Sequence, residues 1–182
     1  MIGTIIAIGD ELLIGQVLDT NSQWIASQCA AIGIDVRYKI TVGDKQEDII
    51  NAIDRYQELS DILITTGGLG PTTDDMTLEA IGKALGVHLE FDEASFNRIE
   101  NYFASRNREY GSEQRKQCML PAGSKALTNN LGTAPGMFYE KHGKIIVSFP
   151  GVPYEMKELF SSQLIPLLKE RLKGFHIVQQ TI

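Results

Sequence analysis

Residues 64–77 read ITTGGLGPTTDDMT, and the order of residue types within them decides the fold. Ile64 and Thr65 belong to a short apolar, β-branched run that begins at Ile62, the pattern of a buried strand. Gly67, Gly68, Gly70 and Pro71 then form a turn. Leu78, Ile81 and Leu85 follow on one face at helical spacing, and Gly86 stops that helix. A strand running through a glycine turn into a helix is the unit of a parallel α/β sheet, where ligands bind beyond the carboxyl ends of the strands. Glycine lets a ligand approach the backbone, and a helix N-terminus attracts phosphate. Asp74 and Asp75 are expected in the first helical turn. One aspartate there is a helix cap. Two behind a phosphate-sized cradle call for a cation between them and the ligand, and carboxylates favour Mg²⁺ or a similar hard ion.

The pattern repeats on either side. Ile2–Ile8 reads as a buried strand, and Asp19, Thr20, Asn21 and Ser22 offer caps for a helix carrying Trp24, Ile25, Cys29 and Ile32. Gly33 ends it. Residues 34–42 alternate as a second strand, and Ile49, Ile50, Ile53 and Tyr56 mark a second helix. The charged segment from Asp92 to Cys118 reads as helical, striped by Phe96, Ile99 and Phe103 and broken over residues 107–112. A strand over Lys125–Thr128, a hairpin across Met137–Ser148 turning at His142-Gly143, and a helix from Pro153 complete the chain. Pro166 should kink or divide that helix, because it removes a backbone donor. The expectation is a three-layer α/β/α fold with a mostly parallel central sheet, one domain over residues 1–172. Residues 173–182, with the apolar FHIVQQTI, are expected to start a further strand or a truncated continuation.

Composition narrows the function. Seventeen Lys and Arg against 23 Asp and Glu give a net charge of -6, which argues against a nucleic-acid partner. No run approaches the ~20 apolar residues of a membrane span, so no membrane partner is expected. Cys29 and Cys118 are far apart and in apolar surroundings, which reads as buried free thiols in a reducing cytoplasm. A G-x-x-x-x-G-K-[ST] loop is absent at the glycine turn, and Thr73 stands where a G-x-G-x-x-G motif needs its third glycine. His88, His142 and His176 lack metal-ligand spacing, and no serine sits in G-x-S-x-G.

Three more loops share the character of the first. GDELLIG (9–15) places Asp10 and Glu11 just after a strand, and NNLGTAPG (129–136) and PGVPYEM (150–156) are rich in glycine and proline. With TTGGLGPTTDD and the Asp-Thr-Asn at residues 19–21, these segments, in this order, resemble the N-terminal domain of the competence/damage-inducible protein A (CinA) family, within the wider molybdopterin-binding fold of molybdenum-cofactor biosynthesis. The resemblance runs over nearly the whole chain. It implies metal-dependent hydrolysis of ADP-ribose to AMP and ribose 5-phosphate. The alternative is a module that binds a pterin or nucleotide, or adenylylates a pterin, without this hydrolysis. It also implies catalytic roles for Asp44, Asp75 and Glu11, and a metal site drawn from Asp10, Glu11, Asp44, Asp74 and Asp75, taking Mg²⁺, Mn²⁺ or Co²⁺. Substrate would be bound by Thr66, Gly67, Gly68, Gly70, Asn21, Gly132, Thr133, Ala134, Gly136, Pro150, Gly151 and Pro153. A homodimer is expected, with a trimer as the alternative.

Overall fold

Ile5, Ile6, Ala7 and Ile8 are all buried, because the strand that carries them, β1 (Ile2–Ile8), lies inside a sheet covered on both faces. The computed structural model describes residues 1–169 and 171. Its elements are β1, α1 (Asp10–Leu13), α2 (Thr20–Ala31), β2 (Asp35–Val42), α3 (Gln46–Leu59), β3 (Ile62–Thr66), α4 (Thr77–Leu85), β4 (Leu89–Phe91) and α5 (Glu93–Ala104). A 3₁₀ helix (Ser112–Cys118) follows, then β5 (Met119–Pro121), β6 (Lys125–Leu127), β7 (Gly136–Lys141), β8 (Lys144–Phe149), α6 (Pro153–Leu159) and α7 (Ile165–Lys169). The expected strand over residues 173–182 lies outside the described residues.

Six strands form the main sheet in the order β2-β1-β3-β8-β7-β6. The first four run parallel, and β7 and β6 add antiparallel pairs at one edge. Alternate residues face opposite layers. Ile5, Ile62, Ile64 and Val147 pack with Ile25, Cys29, Met156 and Phe160 from α2 and the C-terminal helices. Ile6, Ile8, Leu63 and Ile146 pack with Ile49, Ile53, Leu78 and Ile81 from α3 and α4. The three-layer expectation holds. Two hydroxyl pairs cross the buried ladder, Thr4 with Ser60 (2.6 Å) and Thr65 with Ser148 (2.8 Å). The edge strand β2 exposes Arg37 and Lys39, charges that discourage pairing with another chain. His142 and Gly143 both take positive φ (51° and 77°), which closes the β7–β8 hairpin in the two-residue turn matched to strand twist.

The segment from Asp92 to Cys118 is less helical than its sequence pattern suggests. α5 stops at Ala104, and the chain returns as the 3₁₀ helix before pairing β5 antiparallel with β4. Phe96, Ile99 and Cys118 form a small separate core there, joined by Phe91 and Phe103. Both cysteines are free. Burial pushes the Cys29 thiol up to about 12 and the Cys118 thiol up to about 11, so neither is a nucleophile at neutral pH. The C-terminal helix is divided as expected, by a π-helical turn over Phe160–Leu164 just ahead of Pro166. The wider turn accommodates the proline, which lacks a donor and would crowd the carbonyl four residues back.

Phe160 joins the turn to the core. It has no exposed surface and packs edge-on to Trp24 (5.4 Å between centroids) and against Phe149 (6.0 Å). Phe160→Ala is expected to lower unfolding stability by about 3–5 kcal/mol, measured by urea denaturation.

Candidate active cleft

The chain leaves β1 toward α2 on one face of the sheet and leaves β3 toward α4 on the other. Loops that diverge in this way open a crevice at the carboxyl end of the sheet. Here the crevice is a cleft of about 570 Å³. Its floor is the glycine loop. Gly67 has φ 107°, and a Cβ at that position would lie 2.1 Å from the Ile8 carbonyl oxygen. Only glycine lets β3 turn this close to β1. Gly67 also donates its N–H to the Phe149 carbonyl (3.0 Å). Buried Thr77, the first residue of α4, fastens the loop from the other side. Its hydroxyl donates to Gly67 O (2.9 Å) and its N–H to Gly68 O (3.2 Å). The N–H groups of Gly68, Leu69, Gly70, Thr73 and Asp74 meet no acceptor among the described residues.

Asp74 and Asp75 line the cleft but not as helix residues. α4 begins at Thr77, and no side chain caps it. Asp75 instead closes a tight turn. Its Oδ2 accepts from both the N–H (2.9 Å) and the hydroxyl (2.6 Å) of Thr72, and its own N–H donates to Thr72 O (3.3 Å). A Cβ on Gly70 would strike that carboxylate at 2.4 Å, so the glycine leaves it room.

Asp44 and Glu11 face the same space, while Asp10 does not line it. Asp10 and Asp44 exchange hydrogen bonds, Asp10 N–H to Asp44 Oδ2 (3.0 Å) and Asp44 N–H to Asp10 Oδ1 (3.2 Å). Asp10 thereby brackets α1 to the loop after β2. Desolvation raises the Asp44 carboxyl above its ordinary value. The Asp10 N–H lowers it, and the negative charges of Asp10, Glu11 and Asp75 raise it further.

Asn21 holds the far wall. Its amide nitrogen donates to the Thr66 hydroxyl (3.0 Å) and to Gly151 O (2.8 Å), and the Thr66 hydroxyl donates to Pro150 O (3.1 Å). Both side chains line the cleft while joining three loops. Thr133, Ala134, Pro150, Gly151 and Pro153 line it as expected, whereas Gly132 and Gly136 do not. Gly136 starts β7, where its Cβ would lie 3.0 Å from Ser148 O. Gly132 makes space for Glu155, whose carboxylate would meet a Cβ there at 2.3 Å. Both act behind the wall.

Several lining residues escaped the sequence reading. Glu155 is buried and accepts from Asn129 Nδ2 (2.6 Å). Asn129, with no exposed surface, also donates to Ala134 O and accepts from the N–H groups of Leu131 and Gly132. Leu12, Val17, Leu18 and Val152 give the cleft an apolar side. Leu18 is 83% exposed and Val17 51%. A sequence signal existed for Asn129 and Glu155, which fall inside the glycine- and proline-rich segments. None existed for the apolar wall.

Residues 4–170 match the family model described as a probable molybdopterin binding domain. The chain belongs to that family. Within it, the chain sits with the CinA proteins. It is 45% identical over 170 residues to a putative competence-damage inducible protein of Caldicellulosiruptor bescii, covering 93% of this chain and 41% of that relative. A protein of Pyrobaculum calidifontis is 42% identical over 178 residues, 98% of this chain and 68% of its own length. The crystal structure of CinA, of unknown function, from Thermoplasma acidophilum superposes with a TM-score of 0.84 at 30% identity, covering 94% of this chain and 97% of that one. A molybdopterin biosynthesis protein from Mycobacterium abscessus shares the fold, with a TM-score of 0.63 at 16% identity over 94% of each chain.

Two predictions follow from the geometry. Gly67→Ala sets a Cβ against a backbone oxygen and is expected to lower stability by at least about 2 kcal/mol, whereas Gly70→Ala displaces only the Asp75 carboxylate and should lower it by about 1 kcal/mol or less. Denaturant titration of both variants compares them. The second concerns Asp44. Its folded carboxyl holds the proton more tightly than in the unfolded chain, where the ordinary value is 3.8. Stability attributable to it is therefore full below that value and declines as pH rises through the raised one. Without divalent cations, Asp44→Asn should melt slightly higher than the parent at pH 7.

Proposed function

We propose that the cleft binds a nucleoside diphosphate derivative together with a divalent cation and hydrolyses ADP-ribose to AMP and ribose 5-phosphate. The observation that carries this reading is the charge of the wall. Glu11, Asp19, Asp44, Asp74, Asp75 and Glu155 line the cleft, and no Lys, Arg or His does so among the described residues. The floor, by contrast, offers unsatisfied backbone N–H groups suited to an anion. A diphosphate can occupy such a site when a cation neutralises it. The apolar side formed by Leu12, Val17, Leu18 and Val152 suits a flat ring at the other end of the ligand.

The acids fit a hard cation by their chemistry. Asp44, Asp75 and Glu11 would hold Mg²⁺, Mn²⁺ or Co²⁺. Among the described residues no group of three or more His, Cys, Asp or Glu is placed to hold a metal ion on its own. One or two of these acids would therefore be direct ligands, with water and substrate phosphate completing the shell, the usual mode for Mg²⁺. When bound, the ion supplies Lewis-acid polarisation and an acidified water. The chain's own part is to receive phosphate on the amides of Gly68 and Gly70 and to hold Asp75 through Thr72. Thr66 and Asn21 keep the β3, α2 and β8 loops in register around it. A cytoplasmic location and assembly as a homodimer belong to the same proposal. No described helix is long and apolar enough to cross a membrane.

A second reading has its own support in the family match and in the fold shared with a molybdopterin biosynthesis protein. In it the cleft holds a pterin phosphate or nucleotide without hydrolysing ADP-ribose. Metal-dependent release of AMP and ribose 5-phosphate from ADP-ribose, followed by chromatography, separates the two. Tight binding of ADP-ribose with no AMP released would leave the binding module standing.

Asp75→Asn gives the sharper measurement. Asparagine can still accept from Thr72, so stability should fall by about 1 kcal/mol or less. Turnover should fall ~10²-fold or more, roughly 2.7 kcal/mol of barrier, because the lost charge acts where charge develops. Near-normal metal-dependent turnover in that variant would leave Asp75 a turn residue.

A further inference from the structure

The 3₁₀ helix over Ser112–Cys118 ends with two successive side chains that reach back to the glycine loop. Lys116 Nζ donates to Thr72 O (2.8 Å) and Thr73 O (3.4 Å) and lies 3.8 Å from Glu79 Oε1. Gln117, 3% exposed, donates from Nε2 to Leu69 O (3.4 Å). Three carbonyls within residues 69–73 are thus drawn to one side by consecutive residues of a distant segment. The peptide bonds of the described residues are all trans, so the N–H groups of Thr73 and Asp74 turn away from Lys116 and that of Gly70 turns away from Gln117. Thr72, Thr73 and Asp74 are exposed, and no core packing fixes their backbone. The tip of the loop owes its shape to these bonds and to the Thr72–Asp75 turn.

We propose that Lys116 is a positioning residue of the cleft, acting through Thr72 on Asp75, with Gln117 holding the near end of the same loop. The chain of contacts is short: Lys116 Nζ to Thr72 O, then Thr72 N–H and Oγ1 to Asp75 Oδ2 (2.9 and 2.6 Å). Both Thr72 bonds fall on one carboxylate oxygen, which leaves Oδ1 to face a cation. Lys116 does not line the cleft; it lines a small adjoining cavity shared with Gly68, Gly70 and Asp75. Its ammonium holds the carbonyl of Thr72, the residue whose own N–H and hydroxyl hold the acid. The inference rests on the reading of the cleft as a divalent-cation site, and it goes beyond that reading by assigning the 3₁₀ helix a role in building it.

The sign of one measurement decides the matter. Replacing a lysine near an acidic cation site removes a repulsive charge, and Coulomb's law alone then predicts tighter cation binding. A positioning role predicts the opposite. Mn²⁺ affinity of the full chain is measured by electron paramagnetic resonance for the parent, Lys116→Met and Lys116→Arg, with thermal melting of each. Lys116→Met keeps the apolar stem and is expected to weaken Mn²⁺ binding about tenfold with a near-parental melting temperature. Lys116→Arg, which can still donate to both carbonyls, should recover most of the loss. Unchanged or tighter Mn²⁺ binding in a folded Lys116→Met protein overturns the proposal. If the parent binds no Mn²⁺, the metal reading of the cleft fails, and the clamp is judged by amide exchange at Thr72 and Asp75, the two N–H groups of this turn that have acceptors. Lys116→Met should speed that exchange at least tenfold, and parental rates would overturn the clamp. Should Lys116→Met not fold, Lys116→Gln is put through the same measurements.

Discussion

The cleft exists because the backbone of Gly67 passes against the carbonyl of Ile8 with no room for a side chain. β1 and β3 are neighbours in the sheet, yet their chains must leave toward opposite layers. A Cβ at that crossing would push the strand ends apart or turn the loop elsewhere. The other contacts of the site depend on this approach. Gly67 can then donate to Phe149 O, Thr77 can bind the two loop carbonyls, and Thr66 can meet Asn21 and Pro150. The sheet makes the approach tolerable, because β1, β3 and β8 are locked in register beneath it.

Around this crossing the molecule sets pairs of loops against each other through single polar side chains. Asn21 joins α2 to β3 and to the loop after β8. Asn129 joins three points of its own loop to Glu155 on α6. Asp10 and Asp44 join the loops after β1 and β2. A buried amide with every polar atom engaged is rigid, because breaking any bond leaves an unsatisfied group. Asn129 meets that condition. Asn21 keeps a buried Oδ1 that meets no donor among the described residues, so among them its amide is held through the nitrogen alone.

Much of the layout was legible in the sequence, for identifiable reasons. β1, β3, α3 and α4 carry regular apolar periods, and periodicity survives translation into structure because each face must be buried. The glycine loop was legible because glycine and proline restrict what a turn can be. The position of Asp74 and Asp75 was misread, since the first turn of α4 needs no acidic cap once Asp75 is engaged by Thr72. Gly132 and Gly136 were assigned to the substrate wall and Asp10 to the metal site, and none of the three lines the cleft. Residue type and loop membership cannot tell the front of a loop from its back. The short β4–β5 pair and the grip of Lys116 and Gln117 on residues 69–73 join segments more than 25 residues apart. Such contacts leave no local pattern.

A wall of carboxylates with no counterbalancing base among the described residues also governs how a ligand arrives. The field outside the mouth repels a bare polyanion, and the chain's net charge of -6 adds to that repulsion. On the proposed function, a nucleotide already carrying its divalent ion presents a smaller negative charge and would pass more readily. The species reaching the floor would then be the chelate formed in solution, and excess free nucleotide would compete for the ion before it competes for the protein.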